Sequence, residues 1–155
     1  MSPDVPPMTP ALLFPSQEWC RAASVALQAD PTVQAAVAEF GAFTAGTVIV
    51  RGDGLSSDFC VLATVVPGEE PVITFCDDED ELEEHAPDYL SWVPHKLVRD
   101  LLRAAQAGQT PDPLKLLTSG QVKIRGDLAR VVRIAGRHQN AGLAAIRSVP
   151  TRTLG

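Results

Sequence analysis

The stretch QVKIRGDLARVV, residues 121–132, predicts a strand that turns directly into a helix. Its first half alternates apolar and charged side chains, which is the two-residue period of a half-buried strand. The inward-facing residues are Val122 and Ile124, and the water-facing residues are Lys123 and Arg125. Gly126 permits the backbone to reverse, and Asp127 supplies an oxygen that can cap the first helical amides. The helix then carries an apolar stripe of Leu128, Val131, Val132 and Ala135. The Arg-Gly-Asp triplet in this stretch is therefore interpreted as a structural joint and not as a cell-adhesion ligand.

A second Arg-Gly-Asp triplet, at residues 51–53, lies between predicted strands. Glycine and serines follow it without a helical stripe, so we interpret it as a hairpin turn. Around it stand three β-branched runs, TVIVR, DFCVLATVV and PVITFC, which predict consecutive antiparallel strands. The middle run is apolar almost throughout, which favours a central position with both faces covered. YLSWV, which ends at Pro94, predicts a fourth strand.

Helical periodicity accounts for most of the remaining chain. The first predicted helix is capped by Ser16 and carries an apolar stripe of Trp19, Ala22, Ala23, Ala26 and Leu27. A second begins at Asp30 and Pro31, ends near Gly41 and carries Val33, Ala36, Val37 and Phe40. A third ends at Gly108 and carries Leu97, Val98, Leu101, Leu102 and Ala105. Shorter helices are predicted around Leu114, Leu116 and Leu117 and around Leu143, Ile146 and Val149.

Composition argues against several classes of function. The chain has 155 residues, a formal net charge of -6 and 13 lysines and arginines. This length fits a single domain, and scattered cations in an acidic chain argue against a nucleic-acid partner. No apolar run approaches the ~20 residues of a membrane-spanning helix, so no stable membrane insertion is expected. We therefore predict a soluble, cytoplasmic protein.

Thiols and imidazoles lack the spacing that covalent or metal chemistry needs. The three cysteines form no CxxC pair, and we interpret them as reduced core thiols, with a redox or metal role as the alternative. They are Cys20, Cys60 and Cys76. Surface positions are the simplest interpretation of the histidines, His85, His95 and His138. No strained nucleophile elbow and no phosphate-binding glycine loop is present. We therefore predict a non-catalytic protein with no metal and no cofactor.

The acidic run DDEDELEEHAPD begins at residue 77 and carries seven acidic residues up to residue 84. A solvated loop or a short helix is the simplest interpretation. A calcium site is the alternative, but the run lacks the alternating register and closing Glu of an EF-hand loop.

Residues 86–132, APDYLSWVPHKLVRDLLRAAQAGQTPDPLKLLTSGQVKIRGDLARVV, resemble the sterol-carrier-protein-type lipid-transfer domain. That family has a strand, an amphipathic helix ending in Gly, a short turn, and a strand Gly-x-hydrophobic-Lys-hydrophobic-x-Gly-Asp before a further helix. The strand motif is matched here by Gly120, Val122, Lys123, Ile124, Gly126 and Asp127. FPSQEWCRAASVALQADPTVQ is similar to the opening helix pair of bacterial stand-alone members. The resemblance spans about residues 14–148, with the acidic run as an enlarged loop.

This resemblance implies an α/β (α+β) fold, in which a mostly antiparallel or mixed sheet of about five strands has helices packed on one face. It also implies an apolar tunnel between the two layers that binds or transfers fatty acids, acyl thioesters or sterol-like lipids without covalent chemistry. Residues on the elements that form or cover the sheet are then expected to line the tunnel. They are Trp92, Leu101, Leu102, Leu116, Leu117, Val132, Leu143 and Ile146.

An alternative function follows from the same resemblance, since some bacterial members serve as dimerisation or accessory modules. In that case the tunnel is filled by the protein's own side chains, and the partner is a second copy or an enzyme. A homodimer is compatible with either function. The predicted organisation is a proline-rich arm at residues 1–14, one domain at 15–149 and a tail at 150–155.

Overall fold

A computed structural model describes residues 11–109, 120–137 and 145–153. Within these ranges the strands are β1 (Leu12–Phe14), β2 (Phe43–Val50), β3 (Phe59–Val65), β4 (Val72–Cys76), β5 (Tyr89–Pro94), β6 (Lys123–Arg125) and β7 (Thr151–Thr153). The helices are α1 (Gln17–Ala29), α2 (Pro31–Phe40), α3 (Glu79–Glu84), α4 (His95–Gln106) and α5 (Leu128–Arg137). The predicted helix around Leu114, Leu116 and Leu117 lies outside the described residues, and so does Leu143.

The main sheet has five strands in the order β4-β3-β2-β5-β6. β2, β3 and β4 form the predicted antiparallel meander, while β5 pairs parallel to β2 and antiparallel to β6. The sheet is therefore mixed, as predicted. The apolar middle run, which forms β3, was predicted to be the central strand. The structure places β2 in the middle instead, because β5 pairs with the edge of β2 that β3 leaves free.

The predicted helix caps are present. The Ser16 hydroxyl accepts a hydrogen bond from the Trp19 amide at 3.1 Å, and α1 buries Trp19 and Ala23 of its predicted stripe. Asp30 caps α2 by accepting from the amides of residues 32 and 33 at 2.9 and 3.0 Å. These local contacts satisfy amides that a helix leaves without a partner in its first turn.

The joint between β6 and α5 has the predicted construction. The Asp127 carboxylate accepts from the Arg130 amide at 3.2 Å, and Gly126 has a φ of 134°. A Cβ at position 126 would lie only 2.6 Å from Tyr89 Cδ1, so glycine is also required for space. The predicted stripe of α5 is only partly confirmed: Val131 packs against the cluster that contains Ile134, which the prediction did not include, whereas Leu128 is 38% exposed.

The two faces of the main sheet carry different helices. Alternate strand residues point to opposite faces, and cross-strand partners share a face. On one face Ile49 packs with Trp19 of α1 and Leu102 of α4, while Phe40 of α2 packs with Tyr89 and with Ile134 of α5. These four helices form the predicted layer. We call this side of the sheet the helix-layer face.

The acidic run forms the helix α3 and packs on the opposite face. Its Leu82 is fully buried against Val48, Cys60, Leu62 and Leu90. The sheet is therefore covered on both sides, which the prediction of helices on one face did not include. We call this second side the α3 face.

A small second sheet joins the two ends of the described chain. β1 pairs parallel with β7, and Phe14 is 2% exposed. The Trp19 indole N–H donates to the Thr151 hydroxyl at 3.0 Å, which ties β7 to α1. The sequence predicted an extended arm and a tail in these regions. It did not predict strands there, because a three-residue strand beside a proline is too short to show an alternation of apolar and polar residues.

Candidate functional site

The centre of the main sheet is buried on its α3 face and partly accessible on its helix-layer face. On the α3 face Val48, Cys60 and Leu90 are 2%, 2% and 0% exposed. Thr47 directly precedes Val48 and Ser91 directly follows Leu90, and both side chains are only partly buried. This contrast is the reverse of what helix coverage alone predicts, since α3 has six residues and four longer helices cover the other face.

One row of positions crosses four strands at the middle of the helix-layer face. Thr47 of β2 is the register partner of Val61 of β3 and of Ser91 of β5, and Ser91 is the partner of Ile124 of β6. All four are partly buried. We call this row the central floor. Because β2 has a paired strand on each side, the accessible surface of the Thr47 side chain faces the helix layer.

Packed clusters stand at both ends of the central floor. Two residues beyond Thr47 along β2, Ile49 belongs to a cluster with Phe14, Trp19, Ala23, Leu102 and Val149. Two residues before it, Ala45 packs against the cluster of Phe40, Tyr89 and Ile134. No central-floor residue belongs to either cluster. The hydrophobic clusters of the described residues thus lie at the two ends of the central floor.

The central floor is uncharged and carries two hydroxyl groups. Within the described ranges, neither the Thr47 nor the Ser91 side chain makes a hydrogen bond. Val61 and Ile124 flank them with hydrocarbon. Such a surface suits an apolar molecule and offers two neutral hydrogen-bonding groups.

The predicted lining residues are not all on this side of the sheet. Leu102 is 3% exposed and lies in the cluster that contains Ile49, and Ile146 packs against the same cluster. Leu101 and Val132 are partly buried and belong to none of the clusters formed by described residues. Leu116, Leu117 and Leu143 lie outside the described residues.

Trp92 points to the α3 face, away from Leu102 and Ile146. Its indole N–H donates to the Glu79 carboxylate, and the Lys123 ammonium lies 4.8 Å from its ring centroid. Trp92 therefore cannot line the same space as Leu102, because the sheet itself separates them. The sequence pattern correctly predicted that Trp92 lies in a strand, but it did not predict which face of the sheet the side chain occupies.

Sequence patterns missed Thr47 and Ser91. Both are small polar residues in otherwise apolar strands, AGTVIV and YLSWV. Such residues are usually predicted to lie on the solvent-exposed face of a strand. Thr47 alternates with Val48, and Ser91 alternates with Leu90 and Trp92. The register of β2 with β5 places Thr47 and Ser91 on the same face of the sheet, and the helices that cover this face make it an interior one.

The histidine prediction is wrong for His95. His95 is 1% exposed, its Nδ1 lies 2.9 Å from the Gly52 carbonyl oxygen, and its ring stacks on Phe14 at 6.3 Å between centroids. It is buried because α4 begins directly after β5, which places its first residue beneath the β2–β3 turn. His85 is exposed, and His138 lies outside the described residues.

The cysteines are free thiols in apolar surroundings. Burial raises the pKa of Cys20 to about 11, and burial with the nearby Asp58 carboxylate raises the pKa of Cys60 to about 11. Burial also raises the pKa of Cys76. These shifts keep the thiols protonated at neutral pH, which opposes nucleophilic and metal-binding roles. No group of three or more metal-ligating side chains occurs in the part of the chain that the structure describes.

Grooves on the outer surface offer a more polar environment. One of about 400 Å³ beside Leu102 is lined by Arg103, Gln106, Ala107, Thr151 and Thr153. Another of about 340 Å³ lies between α1 and the edge strand β4 and includes Arg21 and Glu70. Charged groups in both make them less suitable than the central floor for an apolar molecule.

No protein-family model and no curated protein matches the sequence. Solved structures do match. A conserved hypothetical protein from Thermus thermophilus, described as a candidate sterol carrier protein, superposes with a TM-score of 0.62 at 12% identity over 88% of this chain and 90% of that one. A sterol carrier protein 2 superposes with a TM-score of 0.61 at 12% identity over 86% of this chain and 97% of that one.

The chain therefore has the sterol-carrier-protein fold that the resemblance over residues 14–148 implied. Identity at this level shows the fold alone. None of the helices in the described part combines the length and the apolar character needed to cross a bilayer.

Proposed function

We propose that this protein binds a hydrophobic small molecule, such as a fatty acid, an acyl thioester or a sterol-like lipid, between the central floor and the helix layer. The observation that carries the proposal is the partial accessibility of Thr47 and Ser91 at the middle of the sheet, where the other face buries Val48, Cys60 and Leu90. A protein whose layers met tightly would bury both faces alike. The likeness to sterol carrier protein 2 agrees with this function.

The walls of the proposed site come from the helices. Leu101 of α4 and Val132 of α5 are partly buried without belonging to a cluster, so they have apolar surface left to cover. Leu102 and Ile146 would close one end through the cluster they share. Leu116, Leu117 and Leu143 remain predicted wall residues. Trp92 is not part of the proposal, because it lies on the α3 face.

The expected affinity is modest. Burying about a dozen methylenes at ~0.8 kcal/mol each gives about 10 kcal/mol, and immobilising the ligand costs several kcal/mol. Micromolar binding with weak selectivity for chain length follows. No covalent step is proposed, because the thiols in the described chain are held protonated by burial. We propose that such carriage occurs in the cytoplasm, without nucleic acid or stable membrane insertion.

Two measurements test the proposal. Native mass spectrometry of protein purified from cells should show a co-purified lipid, and a fluorescent fatty acid should bind the delipidated protein at micromolar concentration. A Ser91→Phe variant should weaken that binding at least about tenfold, because its ring would occupy the central floor. Thr74→Phe is the matched control, since Thr74 is a partly buried residue of β4 on the α3 face.

A clean dimer without lipid, together with no fatty-acid binding, would instead support the interaction module. Equal weakening by Ser91→Phe and Thr74→Phe would mean that the ligand does not contact the central floor. Circular dichroism and urea unfolding of both variants establish that each is folded before binding is compared.

A further inference from the structure

We infer that Thr47 and Ser91 together form a polar recognition point for a ligand that carries a neutral carbonyl or hydroxyl group within its chain, with hydrocarbon on both sides. The inference rests on the proposed function and names the chemical class of its ligand.

The two hydroxyl-bearing residues are direct neighbours. Thr47 and Ser91 are register partners on the parallel strands β2 and β5, which places their backbones about 4.8 Å apart with both side chains on the helix-layer face. Each hydroxyl can donate one hydrogen bond and accept two. Within the described chain neither side chain uses this capacity, and both are partly accessible.

The surroundings define what the hydroxyls can recognise. No charged residue lies in the central floor, since the register partners on either side are Val61 and Ile124. A carboxylate brought here would lose its water without gaining a cation, which is strongly unfavourable. A neutral carbonyl accepts from a hydroxyl, and a neutral hydroxyl group can both donate and accept, so either fits this pair.

The position along the sheet sets where that group must lie in the ligand. Along β2, Ile49 on one side of Thr47 joins the cluster containing Phe14 and Trp19. On the other side, Ala45 packs against the cluster containing Phe40 and Tyr89. Apolar side chains thus stand at both ends of the hydroxyl pair. A ligand whose polar group meets the hydroxyl pair would therefore contact hydrocarbon on both sides of that group, which favours an internal polar group over a terminal one.

The selectivity should be moderate. A plain alkyl chain over the central floor would remove water from two hydroxyls without replacing its hydrogen bonds. A chain with an internal carbonyl would replace at least one of them. We expect a preference of about tenfold for the carbonyl-bearing chain, which is the size of effect that one net hydrogen bond produces.

The experiment uses the delipidated full chain and two probes that differ only at mid-chain, octadecanoic acid and 10-oxooctadecanoic acid, each measured by displacement of a fluorescent fatty acid. The wild type should bind the keto acid about tenfold more tightly. The double variant Thr47→Val, Ser91→Ala should bind both acids equally, because it offers a hydroxyl hydrogen bond to neither. Thr64→Val, on the α3 face, is the matched control and should keep the preference.

The outcomes separate this inference from the proposed function. If the wild type binds both acids equally, the polar recognition point is wrong while lipid binding stands. If the double variant retains the preference, the selectivity comes from other groups and the inference is again wrong. Binding of neither acid would overturn both. Should the double variant not fold, Ser91→Ala alone must reduce the preference by at least about half, because it removes one of the two hydroxyls.

Discussion

Leu82 packs against the bare α-carbon of Gly46: a Cβ built at position 46 would lie 3.0 Å from Leu82 Cδ1 and equally close to Leu90 Cδ1. The glycine of the central strand thus admits the single buried leucine of α3. This contact explains how a helix of only six residues can pack closely on the centre of the α3 face. The centre of the α3 face is therefore filled by the protein's own side chains.

Leu82→Ala should lower the free energy of unfolding by about 2–5 kcal/mol, because it opens a cavity at a fully buried position. Glu84→Ala, at an exposed position on the same helix, should change it by less than about 0.5 kcal/mol. Urea unfolding followed by circular dichroism measures both. Equal stability of the two variants would mean that α3 is a solvated helix and does not cover the sheet.

The two Arg-Gly-Asp triplets provide a matched pair of glycines. Gly126 and Gly52 have similar backbone angles, with φ of 134° and 141°, but only position 126 lacks room for a Cβ. An added Cβ would stand 2.6 Å from Tyr89 Cδ1 and 2.8 Å from the Asp88 carbonyl oxygen, and the backbone atom cannot easily yield.

Gly126→Ala should therefore destabilise the protein by about 2 kcal/mol more than Gly52→Ala, which carries the backbone strain alone. Thermal unfolding of the two variants side by side measures the difference. Similar melting temperatures would show that the β6–α5 joint tolerates a side chain and that Gly126 serves the turn only.

The small sheet at the chain ends is held by one side-chain hydrogen bond from α1. Thr151→Val should cost about 1–3 kcal/mol, because it leaves the indole N–H of Trp19, a 7% exposed residue, without its acceptor. Thr153→Val is the control: its hydroxyl accepts from the exposed Arg103 guanidinium, which water can satisfy instead. If both changes have the same small effect, β7 contributes little to holding Trp19.

Local rules predicted the features that depend on neighbouring residues. The Asp127 cap, the Gly126 reversal and the Ser16 cap each follow from a few adjacent side chains, and each is present. The amphipathic stripe of α4 identified Leu102 as buried for the same reason. In a helix of this length, the spacing of the apolar residues identifies the face that packs against the core.

Features that depend on distant partners were not predictable in this way. The burial of Leu82 requires Gly46, which lies 36 positions earlier in the numbering of the chain. The burial of His95 requires the turn at Gly52. The Thr47–Ser91 pair became a candidate site only because β5 pairs with β2, which places both partly buried residues side by side at the middle of the helix-layer face.

Buried thiols should react slowly and only at high pH. Cys20 and Cys60, each with a pKa of about 11, should carry about a hundredfold less thiolate at pH 8 than thiols with the usual value of 9.0. Alkylation by iodoacetamide, resolved by peptide mass spectrometry, should be slower by at least that factor in the folded protein than in urea. The rate should keep rising with pH until about pH 11.

The same shifts give stability a defined pH dependence. Because the folded-state pKa of these thiols is raised above that of the unfolded chain, folding favours the protonated form. Their contribution is therefore complete below about pH 9 and is lost as pH rises through about 11. Urea midpoints measured at pH 8 and pH 10 should fall with pH, and Cys20→Ala should reduce the slope. A thiol that reacts as fast in the folded protein as in urea would contradict this account and would favour a catalytic or redox role for that cysteine.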